Sequence, residues 1–568
     1  MDPEKREVDG RSPSIYSQKE ETKVENSSDA SDRGSYLESQ HEDQPQLKRT
    51  LKARHLAMIS LGGVIGQGLF LSAGANLAAA GPAGALIAYG IIGFIVFWVT
   101  FSLGEMATYI PVSGSFTVFC RRFVDTSFGT TIGYNYWACW AIIVASELTA
   151  LPLVMEFWTT AVPSWAWSGM WLVIIFVLNM FGARSYGEAE YWFSVVRITQ
   201  SLSKSSIDLI KILAVLIFII VGCVTSGGLI GNTTPHEVYG FKFWNDPGAF
   251  SKDGALGVVN AFVLASFSMQ GTEIVGITAG ECENPIKQVP RAIKNVFWRI
   301  IIFYIGSVFV MGMLIPSTDE RNLSESSSVT ISPFTIVFEK AGLSSVAHVM
   351  NAVILITILS CANSGMYVSS RMLCALSKEG LAHPKLSYIS KRGVPTYALI
   401  CTSLISLVTF ATSFIPGKAL FIVLTKLSGV AGFVTWGGIC FAHYRFRKAI
   451  KYQGLSIKDL PIITPFHPFG DMFGMIACVV IALMAGYSYF VPADPVGLVG
   501  NYGGLIACAI LFISLKIYSR SKLIPVSEID IVTGRADASL YIDKDAGREK
   551  IQGPWYKKAW RQFVIVVT

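Results

Sequence analysis

Twelve apolar runs of roughly 20 residues, the length that spans a bilayer as a helix, dominate this chain. They lie at about 55–80, 82–108, 128–158, 163–183, 191–224, 255–281, 296–317, 333–375, 395–415, 419–443, 471–492 and 500–519, numbered here spans one to twelve. In lipid every backbone polar group needs a partner within the protein, so such runs must fold as helices. Two of them are interrupted by glycine. Span one contains Gly62-Gly63-Val64-Ile65-Gly66-Gln67-Gly68, and span six, about 205 residues further on, contains Gln270-Gly271-Thr272-Glu273 through Thr278-Ala279-Gly280. A broken membrane helix is tolerated where it lines a cavity or is covered by protein. Matching breaks in two halves of a chain point to a transporter's substrate site. For either break alone, close small-residue packing between helices is the competing reading.

Placing the breaks in spans one and six divides the first ten spans into two halves of five. Halves with an odd number of spans insert with opposite orientation. The expected fold is therefore an all-α polytopic membrane protein with twelve transmembrane helices. It comprises a five-plus-five inverted repeat, about 55–224 and 255–443, with two extra helices appended. Residues 51–519 form this domain, flanked by a polar, disordered tail at 1–50 and a second tail at 520–568. Composition agrees: 52% of the 568 residues are hydrophobic and 15% are charged, against roughly a quarter charged in soluble domains.

The net charge of +7 is distributed by topology. Alternate loops carry Arg121 and Arg122; Arg184; Lys287, Arg291 and Lys294; Lys378, Lys385, Lys391 and Arg392; and Arg445, Arg447, Lys448, Lys451 and Lys458. Opposite loops hold few basic residues, so both termini are expected in the cytoplasm and a nucleic-acid partner is not. The sequons at Asn232 and Asn322 then fall outside, as weak candidates for glycosylation. Lys5, Lys19 and Lys23 are candidate modification sites, and the tails are candidate docking segments for ubiquitin-ligase adaptors. The aromatic stretch around Trp555 and Trp560 either lies on the membrane surface or caps the cytoplasmic face.

None of the ten cysteines forms a CxxC pair and the seven histidines show no ligand spacing, so no metal or cofactor is expected. Absence of Walker, HExxH and nucleophile-elbow motifs argues against an ATP-driven pump and against an enzyme.

Leu51-Lys52-Ala53-Arg54-His55, the span-one glycines, Gly104-Glu105-Met106-Ala107, Gly271-Thr272-Glu273, Asn284-Pro285, Val289-Pro290-Arg291-Ala292-Ile293 and Ala362-Asn363-Ser364 follow one another in a specific order. In this the chain resembles the fungal amino-acid permeases of the amino acid–polyamine–organocation superfamily. Gly240-Phe241-Lys242-Phe243-Trp244 and Asp246-Pro247-Gly248-Ala249 are most similar to the basic amino-acid branch. The resemblance implies a leucine-transporter-like fold, a plasma-membrane location and proton-coupled uptake of basic or broad-range amino acids. A non-transporting amino-acid receptor is the alternative.

A free amino acid is a zwitterion. Half-helix N-terminal ends suit its carboxylate, and half-helix C-terminal ends suit its ammonium. The candidate binding residues are Ile65, Gly66, Gln67 and Gly68 from span one, and Phe267, Ser268, Gly271 and Thr272 from span six. Gln67 stands where the family usually has Thr, and Met269 where it usually has an aromatic residue. Glu147 lies deep in span three, where an ionisable group is a functional candidate by default. It either pairs with a cationic substrate side chain or takes the coupling proton. By resemblance, Cys139, Ile143 and Ser428 occupy pocket positions. Lys211 resembles the position whose ammonium replaces a sodium ion in proton-coupled relatives, and is expected near Ser360, Asn363 and Ser364. Arg291 and Arg371 are expected to pair with Glu105, Glu273 and Glu281. Residues 197–210 interrupt span five with polar side chains, as an extended helix end or a retained non-coding segment.

Overall fold

The computed structural model describes residues 66–536, except 67, 113, 182–205, 233–235, 275, 277–278, 280–283, 320, 322–331, 391, 458–459 and 491–492. Side chains of 206–210, 294–297 and 299 are also not described. Ile65, Gln67, Glu281, Asn322, residues 197–205 and most of both tails therefore lie outside the described residues.

Seven described helices are long and apolar enough to cross a membrane. One of them, Gly68–Tyr109, is two spans fused at a break, and the shorter apolar helices Ser164–Met180, Lys211–Ser226, Ala255–Met269 and Ile300–Leu314 supply the remaining four. Each of the twelve spans thus contributes a helix among the described residues, where no strand occurs.

The break between spans one and two shows how the fold handles unpaired backbone. Pro82 has no N–H to donate, and Gly81 turns the chain with φ +74°. The carbonyl of Ala80 accepts from the Ser251 amide at 3.1 Å, and the Ala83 amide donates to the Ala249 carbonyl at 2.9 Å. A Cβ on Gly81 would stand 2.8 Å from that carbonyl oxygen, so the loop entering span six closes this turn as only glycine permits.

Burial ranks the spans. The apolar windows of spans three and ten are 83% and 72% buried, while that of span twelve is 17% buried. Span twelve shows Ile506, Ile510, Ile513 and Ile517 on its outer surface. That exposure carries no penalty in lipid, which is as apolar as the side chains themselves.

One sequence boundary needs correcting. The run read as span eight from 333 is two helices, Pro333–Lys340 and Ser344–Lys378, separated by a turn at Gly342 with φ +76°. Ser332 caps the first, accepting from the Phe334 amide at 3.3 Å.

The chain after span twelve, up to residue 536, is strapped across the end of the bundle. Arg122 donates to the carbonyls of Asp530 (2.6 Å) and Thr533 (2.8 Å) and pairs with the Asp530 carboxylate at 2.7 Å. Gln453 donates to the Ile529 carbonyl at 2.7 Å, and Ile529 and Ile531 are buried. Partial desolvation opposes ionisation of Asp530, but the Thr533 and Val532 amides and Arg122 outweigh it and hold its pKa at about 2. The charge therefore supports docking above about pH 3.9, the ordinary Asp value, and its contribution is lost as pH falls through about 2. We expect Arg122→Ala to release residues 520–536 to proteases at pH 7, while the wild-type strap stays protected down to pH 5. Limited proteolysis read by mass spectrometry checks both.

Candidate substrate site

Span six ends as a helix at Met269. Gln270 is extended (φ −63°, ψ 150°) and Gly271 turns back with φ +95°. Groups freed by this break are held partly by other spans and partly within the turn itself. Tyr304 of span seven donates to the Ser268 carbonyl at 2.7 Å. The Gln270 side chain donates to the Ser428 carbonyl of span ten at 2.5 Å and accepts from the Cys139 thiol of span three at 3.1 Å. Glu273 lies back across the gap, accepting from the Gly271 amide at 3.2 Å and from the Trp436 indole at 3.3 Å. Thr272 returns its hydroxyl to the Met269 carbonyl at 3.2 Å.

Span one faces this break at contact distance. Ser268 donates its hydroxyl to the Gly68 carbonyl at 2.8 Å. A Cβ on Gly68 would come within 2.5 Å of the Ser268 Cα, and one on Gly66 within 3.2 Å of the Glu147 carboxylate. Side chains at these two positions would fill the space toward Cys361, Glu147 and Ser268.

A small cavity lies at this junction, lined by Gly66, Gly68, Trp140, Ile143, Glu147, Phe267, Ser268, Gln270 and Cys361. Six of these residues are ones the sequence singles out. Cys139 and Ser428 sit one layer back, joined to the cavity through Gln270, and Gly271 and Thr272 form the turn behind it. Glu147 is 1% exposed. Sequence reasoning missed Trp140, Gln270 and Cys361. Trp140 and Ile143 precede Glu147 by two turns and one, a helical spacing that marks a shared face. Gln270 and Cys361 are placed by tertiary contact alone.

Lys211 is also 1% exposed, so it does not snorkel to the membrane surface. Its ammonium donates to Ser360 Oγ of span eight at 3.4 Å. Asn363 belongs to a different contact, accepting from Asn179 of span four at 2.9 Å. Asn232 is exposed in a loop, its amide donating to the Lys340 carbonyl at 3.1 Å.

The expected ion pairs of Arg291 and Arg371 with the intramembrane acids are not what forms at Glu105 and Glu273. Glu105 instead takes Arg447 of span ten at 2.5 Å, while Arg371 stacks over the Tyr367 ring at 4.1 Å. Arg291 is exposed, and Glu273 has no basic partner among the described residues. Span ten is helical to Tyr452, past its apolar run, and that extension carries Arg447 to Glu105.

These features define a transporter: a helix in each of twelve spans, a break in span six facing Gly66 and Gly68 of span one, and a cavity with a buried acid beside them. Residues 55–525 match the amino acid permease family, and the chain belongs to it. It is 43% identical to a lysine-specific permease of Lactococcus lactis over 498 residues, covering 86% of this chain and 93% of that protein. A histidine permease of the same bacterium is 40% identical, covering 86% and 99%. A lysine-specific permease of Saccharomyces cerevisiae is 39% identical, covering 89% and 82%. This chain is thus an amino-acid transporter and a multi-pass membrane protein, not an enzyme.

Proposed function

We propose that the chain imports basic amino acids across the plasma membrane together with protons, with both termini in the cytoplasm. The buried carboxyl of Glu147 in the cavity wall carries this reading. The broken helices take the α-carboxylate and α-ammonium through backbone groups, as ends of half-helices do. What remains of a lysine or arginine is a cation, and an acid buried this deeply gains most from one. The lysine permeases among the relatives support the same substrate class.

Lys211 is the coupling group in this proposal. Its ammonium holds span five against Ser360 of span eight, and losing its proton releases that contact. If residues 197–210 are a retained insertion, deleting them is expected to raise uptake, and equal uptake by both forms would refute that reading. Labelled lysine uptake in a permease-deficient host, competed by each of the twenty amino acids, tests the substrate class. Arginine and lysine should compete best, and a protonophore should collapse accumulation. Strongest competition by neutral amino acids would overturn the assignment.

A further inference from the structure

A second buried charge cluster lies away from the cavity, where spans two, ten and eleven meet. The His443 ring of span ten is 0% exposed. Its Nε2 is 3.1 Å from a carboxylate oxygen of Glu105 on span two, and its Nδ1 is 2.8 Å from one of Asp471 on span eleven. An ionised carboxylate has only acceptors, and a neutral imidazole has one donor and one acceptor. The Nδ1–Asp471 contact is a hydrogen bond, while Nε2 and the Glu105 oxygen stand opposed at 3.1 Å as an ion pair that is attractive only when the ring holds one proton more than a neutral imidazole. Without it, one contact sets lone pair against lone pair in a site closed to water.

The surrounding groups fit that count. Arg447 contacts Glu105 at 2.5 and 2.8 Å, and the Thr464 amide donates to Glu105 at 2.6 Å. Asp471 also accepts from the Ser102 hydroxyl at 2.7 Å and contacts His467 Nδ1 at 2.6 Å. With the extra proton, Arg447 and His443 balance Glu105 and Asp471; without it a net negative charge is buried. From the remaining side, Cys440 packs against Gly474 one turn before His443, and Tyr444, carrying Lys448 over its ring, flanks His467. His443, His467 and Asp471 offer atoms within 4.8 Å of one another, but those atoms are already engaged in hydrogen bonds.

We propose that Glu105, His443 and Asp471 form a proton-binding site, distinct from the substrate cavity and from Lys211, whose proton clamps span eleven onto span two. Span eleven lies outside the five-plus-five repeat, and this site gives it a role in the response to pH. The clamp holds while that proton is bound and weakens as rising pH removes it.

The test is the thermal unfolding midpoint of the full-length protein in detergent, followed from pH 6 to pH 10, which needs no transport. Wild type should lead His443→Gln by several degrees at pH 6, with the gap closing as pH rises. Asp471→Asn keeps the shape with one carboxylate fewer, so its midpoint should begin to fall at a lower pH than wild type. It serves as the test if His443→Gln does not fold. Curves that run parallel to wild type across the range would overturn the proposal. So would a wild-type midpoint that drops at pH 6 on adding EDTA, which would mark a metal-bridged cluster.

Discussion

Glu147→Gln is expected to abolish accumulation of labelled lysine while uptake of norleucine, which lacks the side-chain ammonium, persists. The carboxyl is 1% exposed and shares the cavity wall with Gly66 and Ser268. A substrate ammonium brought there loses its water, and the carboxylate replaces it. Removing one partner of a buried charge pair costs about 2–5 kcal/mol, much of it from stranding the other charge. That is roughly 30- to 5,000-fold in affinity. Gln keeps the size and a hydrogen-bonding head, so packing against span one is retained. Equal loss of lysine and norleucine uptake would mark Glu147 as structural, and unchanged lysine uptake would remove it from the site.

Lys211→Ala should leave a carrier that equilibrates lysine but does not concentrate it, with uptake insensitive to a protonophore. The ammonium is buried and reaches Ser360 at 3.4 Å. Alanine removes both the charge and the contact between spans five and eight. Lys211→Arg separates the two roles, because a guanidinium keeps its charge in proteins and does not release a proton. If the coupling proton sits on Lys211, the Lys211→Arg variant holds the spans together and stops turnover, whereas a purely structural cation would tolerate the exchange. Internal and external label measured at steady state, with and without protonophore, distinguishes these results. Protonophore-sensitive accumulation by Lys211→Ala would contradict the assignment.

The spans were legible because lipid imposes one solution on an apolar run. The span-six break was legible because glycine in such a run has few other uses. Residues 333–340 merge with span eight in the sequence because they are apolar, and the turn at Gly342 is a matter of backbone conformation that composition does not carry. Glu147 and Ile143 declared themselves by depth and helical spacing. Gln270 did not, since its role comes from reaching Cys139, 131 residues away, and Ser428, 158 residues away. The partner of Glu105 was hidden for the same reason: Arg447 is 342 residues distant and, in the sequence, is one of many loop charges that report topology. Likewise His443 and His467 show no spacing in sequence, and three separate elements bring them to Asp471 and Glu105.

The span-six break facing Gly66 and Gly68 of span one is the heart of this account, and Cys361, whose thiol borders the cavity opposite Gly66, reports on it directly. In a variant retaining Cys361 as its one cysteine, saturating lysine should slow alkylation by a small thiol reagent severalfold, and the same protection should vanish in Glu147→Gln. Alkylation at an unchanged rate with lysine bound would place the substrate elsewhere and contradict the site described.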